Sequence, residues 1–136
     1  MSSKVAEAFD KGIQCHVEVE EGVFFTDMRP LDLITIISIL CDNAIEATVL
    51  ADEPKLSIAI FKMENQSVIV VENSTKEASI DVAPLKQRGF STKGTGRGLG
   101  LANIEEILFR YDNVTLETES AQHRFVQLLS ITPKED

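Results

Sequence analysis

The chain predicts a two-layer α/β sandwich, a mixed sheet covered on one face by helices. Three observations carry that expectation. Apolar and polar residues alternate in five short stretches, which is the signature of half-buried strands. Three other stretches carry apolar residues at helical spacing. Four of the strands fall into two pairs separated by only a few residues, so they read as antiparallel hairpins.

The first element, "SSKVAEAFDKG", reads as the last turns of a helix with Gly12 as its stop. So little precedes it that a piece of a larger protein is expected. "IQCHVEVE" then alternates Ile13, Cys15, Val17 and Val19 against polar neighbours and predicts a strand. Pro30 opens the longest helix, where its missing N–H costs nothing, and Asp32 sits in the favourable first turn. That helix, "PLDLITIISILCDNAIEATVLA", is apolar on most sides.

"KLSIAIFKME" and "QSVIVVENS" form the first expected hairpin. "TKEASIDVAPLKQ" has weak periodicity, with room for one short helix. From about Gly98, "GLGLANIEEILFRYD" places Leu99, Leu101, Ile104, Ile107, Leu108 and Tyr111 on one helical face. "NVTLETES" and "HRFVQLLSIT" close the chain as a second hairpin.

Composition bounds the function. With 136 residues, 43% of them hydrophobic and 26% charged, the chain is one soluble-type domain with a real core. A net charge of −9 argues against general nucleic-acid binding, which needs a broad basic face. Cys15 and Cys41 read as reduced, buried thiols, since no CxxC or Cys/His cluster has metal-ligand spacing. The longest apolar run, "LITIISIL", falls well short of the roughly 18 residues of a membrane span.

Against this acidic background one loop stands out. Five of the seven glycines lie between Gly89 and Gly100, and Lys86, Arg88, Lys93 and Arg97 fall in the overlapping stretch 86–97, which holds no carboxylate. The loop lacks the Lys of a Walker A motif directly after its last glycine, because Thr95 follows Gly94. Its GxGxGxG spacing, after an irregular segment, is not a Rossmann fingerprint either. The physics still favours a small, highly charged anion. Gly94, Gly96, Gly98 and Gly100 let backbone N–H groups approach a ligand closely, and the helix that follows offers the positive end of its dipole. Lys93 and Arg97, with Arg88, can supply charge, and Ser91 and Thr92 can donate hydroxyl hydrogen bonds. The plainer reading is a surface loop whose cations keep an acidic protein soluble.

The long helix carries a second signal. Projected at 100° per residue, Thr35, Ser38, Asp42 and Glu46 form a narrow polar stripe with Asn43 at its edge. Leu33, Ile34, Ile36, Ile37, Leu40, Cys41, Ala44 and Ile45 make up the packing surface. Asn is a mediocre helix former, so Asn43 is either exposed or locally bonded, or else offers an amide oxygen to a divalent cation.

Taken together, "CDNAIEA", "VIVVENS" and "GFSTKGTGRGLGLANI" resemble, in family order and over nearly the whole chain, the ATP-binding catalytic domain of sensor histidine kinases. That superfamily, with the Bergerat or GHKL fold, also includes gyrase and MutL. The first segment looks like the N box, the second stands in the place of the first glycine box, and the third looks like the F box and second glycine box. The resemblance assigns Mg²⁺ coordination to Asn43. Asp42 and Glu46 beside it either orient metal-bound water or the incoming histidine, or form a solvated acidic helix edge. It sets adenine against Asn73. It gives the β- and γ-phosphates to Lys93 and Arg97, with Ser91, Thr92, Gly94, Gly96, Gly98, Leu99 and Gly100 completing the nucleotide-binding set. Phe90 is the expected apolar latch of a lid over residues 74–97. Residues 1–12 would then be the tail of an upstream dimerisation helix or appended residues, and residues 13–136 the catalytic domain.

Two departures from the family pattern bear on chemistry. Asn73 replaces the usual Asp, and Thr75 and Glu77 replace the glycines expected two and four residues later. Loss of the charge there predicts weak nucleotide affinity, by about 1 kcal/mol or more. Ile39 stands where the gyrase-like ATPases carry a water-activating Glu, so slow hydrolysis is expected and transfer to a histidine suits the site better. The expected acceptor lies upstream, because His16 and His123 both fall in strand-like patterns.

The wording "DNAIEA", "EN" and "FSTKGTGRGLGL" is similar to peptide-pheromone, quorum-sensing kinases of the AgrC and ComD kind. The partners this implies are a phosphoacceptor domain of the same receptor and a response regulator of LytTR type. It also implies a homodimeric full-length receptor and a monomeric isolated domain on the cytoplasmic side of a bacterial membrane, with contact to that membrane only through an absent sensor part. The rival readings are a degenerate interaction scaffold of the same fold and a related ATPase or serine kinase.

Overall fold

The computed structural model describes residues 2–23, 27–79 and 96–133, and for residues 2, 3 and 96–101 the backbone alone. The elements follow in the expected order: α1 (Ser2–Asp10), β1 (Gln14–Val19), α2 (Pro30–Thr48), β2 (Lys55–Met63), β3 (Gln66–Ser74), α3 (Gly96–Leu108), β4 (Val114–Ala121) and β5 (Arg124–Ile131). The five strands form one mixed sheet in the order β1-β2-β3-β5-β4. β1 runs parallel to β2, and the other neighbours are antiparallel.

Register explains the single covered face. Leu56, Ile58 and Ile60 of β2 pair with Asn73, Val71 and Ile69 of β3, and Ile69 pairs in turn with Leu129 of β5. All of these are buried, and the apolar ones join Ile36, Leu40, Ala44 and Ile45 of α2 and Ile104 and Ile107 of α3 in one core. The strand period of two sends the intervening residues to the opposite face. Ser57, Ala59, Phe61, Val70 and Glu72 are accordingly only half-buried there.

Helix ends have local causes. Gly12 takes φ +77° after α1, a conformation that glycine adopts without a Cβ penalty. Lys11 N and Ile13 N turn back onto Ala8 O. Pro30 sits at the start of α2 with Asp32 in its first turn, as expected. The helix stops at Thr48 rather than continuing to Ala51, because Val49 to Ala51 leave it in tight turns and the Thr48 hydroxyl is taken by Lys55.

Four sequence expectations need correction. Ile34, assigned to packing, is 63% exposed, since the core lies on the Leu33–Ile36–Leu40 side of α2. Val17 and Val19 alternate correctly but are exposed, because β1 is the sheet's edge and the helix layer covers only its beginning at Ile13 and Cys15. α3 begins at Gly96, two residues earlier than the periodicity suggested. His123 is not a strand residue: with Gln122 it forms the two-residue turn between β4 and β5, both at positive φ.

Candidate functional site

The site is assembled around α2. This helix packs against β3 on the sheet side and against α3 on its flank. It therefore touches the two elements that carry the other motifs: β3 holds Asn73, and α3 holds Gly96, Arg97, Gly98, Leu99 and Gly100 in its first turns. The first turn of α3 contains no acidic residue, so nothing within that turn offsets the positive end of the helix dipole. Ser91, Thr92, Lys93 and Gly94 lie outside the described residues, as do Phe90 and most of the expected lid.

Asn43 lies in the C-terminal half of α2, half-buried, flanked by half-buried Asp42 and followed by exposed Glu46. Ile39, one turn earlier, packs against the core and offers no base. Asp42 is held: Lys4 of α1 donates to its Oδ1 at 2.5 Å. The hydrogen bond to Asp42 keeps the Lys4 ammonium protonated, raising its pKa above the usual lysine value. Cys41, buried against the core, has its thiol pushed up to about 11 by desolvation, so it stays a neutral packing group.

No group of three or more His, Cys, Asp or Glu that could hold a metal is found among the described residues. The half-buried Asn43 side chain offers one amide oxygen, a hard donor of the kind magnesium accepts beside phosphate and water ligands.

Asn73 is almost wholly enclosed, at 2% exposure. Its Nδ2 donates to the carbonyl of Ser74 at 3.0 Å. Ser74, the last residue of β3, is itself fastened. Its Oγ donates to Glu53 O at 2.8 Å, accepts from Lys55 N at 2.9 Å and lies 2.7 Å from Thr48 Oγ1. Thr75 follows, also buried, with its N–H on His123 O and its hydroxyl on Glu77 O. At the far end of the helix pair, Asp32 accepts from Tyr111 and Arg110.

Three of these contacts escaped the sequence reading: the Thr48–Ser74 hydroxyl pair, the Lys4–Asp42 ion pair and the Asp32–Tyr111 bond. Thr48 carried a usable signal, since it stands four residues after buried Ala44 on the packing face. The others join residues 38 and 79 positions apart, and no local pattern encodes such a pairing.

Comparison with known proteins gives the family. Over 77 residues, 54% of its length, the chain is 36% identical to the sensor protein CitS of Bacillus subtilis, and it spans 14% of that protein. Among solved structures it resembles the nucleotide-free catalytic domain of histidine kinase ThkA, with a TM-score of 0.75 at 21% identity over 97% of this chain and 91% of that one. The mycobacterial sensor histidine kinase MprB gives 0.67 at 13% identity over 98% and 96% of the two chains. ShkA, solved full-length with AMPPNP, gives 0.68 at 17% identity over 96% of this chain and 27% of that one. These likenesses show that the α/β fold is that of histidine kinase catalytic domains. Residues 28–132, which span α2 through β5, match the GHKL domain family, and the chain belongs to it.

Proposed function

We propose that this domain is the ATP-binding catalytic domain of a sensor histidine kinase, taking Mg²⁺ and ATP and passing the γ-phosphoryl to a histidine on a separate dimerisation domain. One observation carries the reading. The helix bearing Asn43 packs at once against the strand bearing Asn73 and the helix opened by the Gly96–Gly100 run. An amide for the metal, an amide for the base and a helix N-terminus for phosphate are thereby carried on α2 and on the two elements that pack on it.

In this reading Asn43 holds Mg²⁺, which neutralises phosphate charge when bound. Asn73 meets adenine, and the backbone from Gly94 to Gly100, with Lys93, Arg97, Ser91 and Thr92, steadies the phosphates. Asp42 and Glu46 orient the metal's water or the incoming imidazole, and residues 74–97 serve as a lid. Because Ile39 packs into the core and can abstract no proton, hydrolysis is slow and the acceptor brings its own nucleophile.

The wider context is two-component signalling, with a phosphoacceptor domain and a response regulator as partners. We assign it to a peptide-pheromone receptor with a LytTR-type regulator on the wording of the DNAIEA and FSTKGTGRGLGL segments. The matched Bacillus sensor protein adds no support to that finer assignment. The reading makes the domain the cytoplasmic part of a membrane receptor. None of the described helices is itself long and apolar enough to cross a membrane.

The deciding experiment mixes the domain with its dimerisation domain and radiolabelled ATP. Acid-labile, base-stable label on the partner domain is the expected result, and no label on it rejects the kinase. A non-catalytic scaffold is the second reading, favoured by Asn73, Thr75 and Glu77 standing where the family has Asp and two glycines. It predicts no binding of any adenine nucleotide in the presence of Mg²⁺.

A further inference from the structure

The sheet carries a second apolar surface, on the side away from the helices. A strand with one face in water alternates apolar and polar residues, whereas one covered on both faces is apolar nearly throughout. β3 runs from Val68 to Val71 without a polar residue. Ala59 of β2 pairs with Val70, and Val70 with Leu128 of β5. Phe61 pairs with Val68, and Val126 stands two residues from Leu128 on the same side of β5. None of these six joins the core cluster, although Val68 is fully buried and the other five are half-buried.

Glutamates border this strip on both sides. On β1, Glu18 pairs with Ala59, and Glu18 and Glu20 share a hollow with Ala59 and Phe61. On β4, Glu117 pairs with Leu128 and Glu119 with Val126. All four are exposed, and Glu117 and Glu119 make no ion pair with any described residue. Lys55 and Arg124, at one end of the strip, are matched by Glu53 and Glu72.

We propose that this face is a docking surface for an amphipathic helix of a partner protein, with an apolar stripe flanked on both sides by Lys or Arg. The dimensions suit a helix. β2, β3 and β5 are neighbours, so the strip is roughly 10 Å across, about one helix diameter. The glutamate rows of β1 and β4 lie four strand spacings apart, roughly 19 Å, within reach of long basic side chains splayed from both flanks. Charge selects the occupant. A second copy of this chain, at net charge −9, would set glutamate against glutamate, and nucleic acid or an anionic membrane would meet the same repulsion. The face lies across the sheet from α2 and α3 and stands apart from the nucleotide-binding reading.

The test is fluorescence anisotropy of the domain with a labelled helical peptide about five turns long, leucine on one face and lysine on both flanks, and with a scrambled peptide of the same composition. The patterned peptide is expected to bind at least about tenfold tighter than the scrambled one. Glu117→Lys with Glu119→Lys weakens it about tenfold or more. The same change of charge away from the face, Asp10→Lys with Asp112→Lys, weakens it about threefold or less. Leu128→Thr, which leaves the charge alone, also weakens it. Equal binding of the two peptides, or equal losses in the two charge-reversed domains, overturns the inference. A domain that dimerises in sedimentation and becomes monomeric on Leu128→Thr overturns it too, because the occupant is then a second copy. If Leu128→Thr does not fold, the exposed glutamate pair decides alone.

Discussion

The Tyr111 hydroxyl lies 2.5 Å from Oδ2 of Asp32, tying the residues just after α3 to the first turn of α2. Arg110 reaches the other carboxylate oxygen at 3.2 Å, and Arg29 N donates to the tyrosine oxygen. This corner sets how α3 lies along α2, and hence where its glycine-bearing first turn stands. Tyr111→Phe removes one hydrogen bond to a buried carboxylate and is expected to cost about 1–3 kcal/mol in urea unfolding.

The same tyrosine gives a pH signature. Burial, followed by the hydrogen bond to Asp32, raises its pKa above the ordinary value near 10. A raised folded value means that the contribution to stability is complete below the unfolded pKa and is lost as pH climbs through the folded one. Since Tyr111 is the only tyrosine, absorbance titration of phenolate formation reads it directly. The midpoint is expected above that of the urea-unfolded chain.

Asn43→Ala should abolish Mg²⁺-dependent nucleotide binding while leaving the fold unchanged, because the side chain is half-buried and makes no structural hydrogen bond with the described residues. Titration with ATP in the presence and absence of Mg²⁺, beside a thermal melt, checks both halves of that statement.

Cys41 should resist alkylation at neutral pH in the native domain, since burial holds its thiol up to about 11 and shields it from reagent. Mass spectrometry after a short iodoacetamide pulse should find label at Cys41 only after denaturant is added.

Lys4→Ala removes the bond between α1 and Asp42 and is expected to cost under about 1 kcal/mol, because the Asp42 side chain is 47% exposed. The loss should shrink as salt is raised, which separates it from a packing defect. Leu40→Ala, by contrast, cuts a fully buried side chain from the α2 core face, and about 2–5 kcal/mol should go at any ionic strength.

Element order and type were legible because each rests on a local period. The alternation in "KLSIAIFKME" and "QSVIVVENS" needs only the two-residue repeat of a strand, and Pro30 and Gly12 punctuate helices through their own backbone limits. Burial was less legible. Val17 and Val19 alternate as well as the central strands do, yet they face solvent, because being at the edge of a sheet is a property of the assembled strand order and not of the strand.

The sequence alone determined which residues are chemically able to act: an amide in a helix of apolar residues, a buried-strand Asn, and glycines with cations before a helix. Tertiary structure decided which of them meet and in what state. Lys4 claims Asp42, and the Ser74 carbonyl orients Asn73 because Thr48 has arrived from the end of another element. Hydrogen bonds between groups distant along the chain depend on ångström-scale placement by packing, and no repeat in the order of residues carries that information.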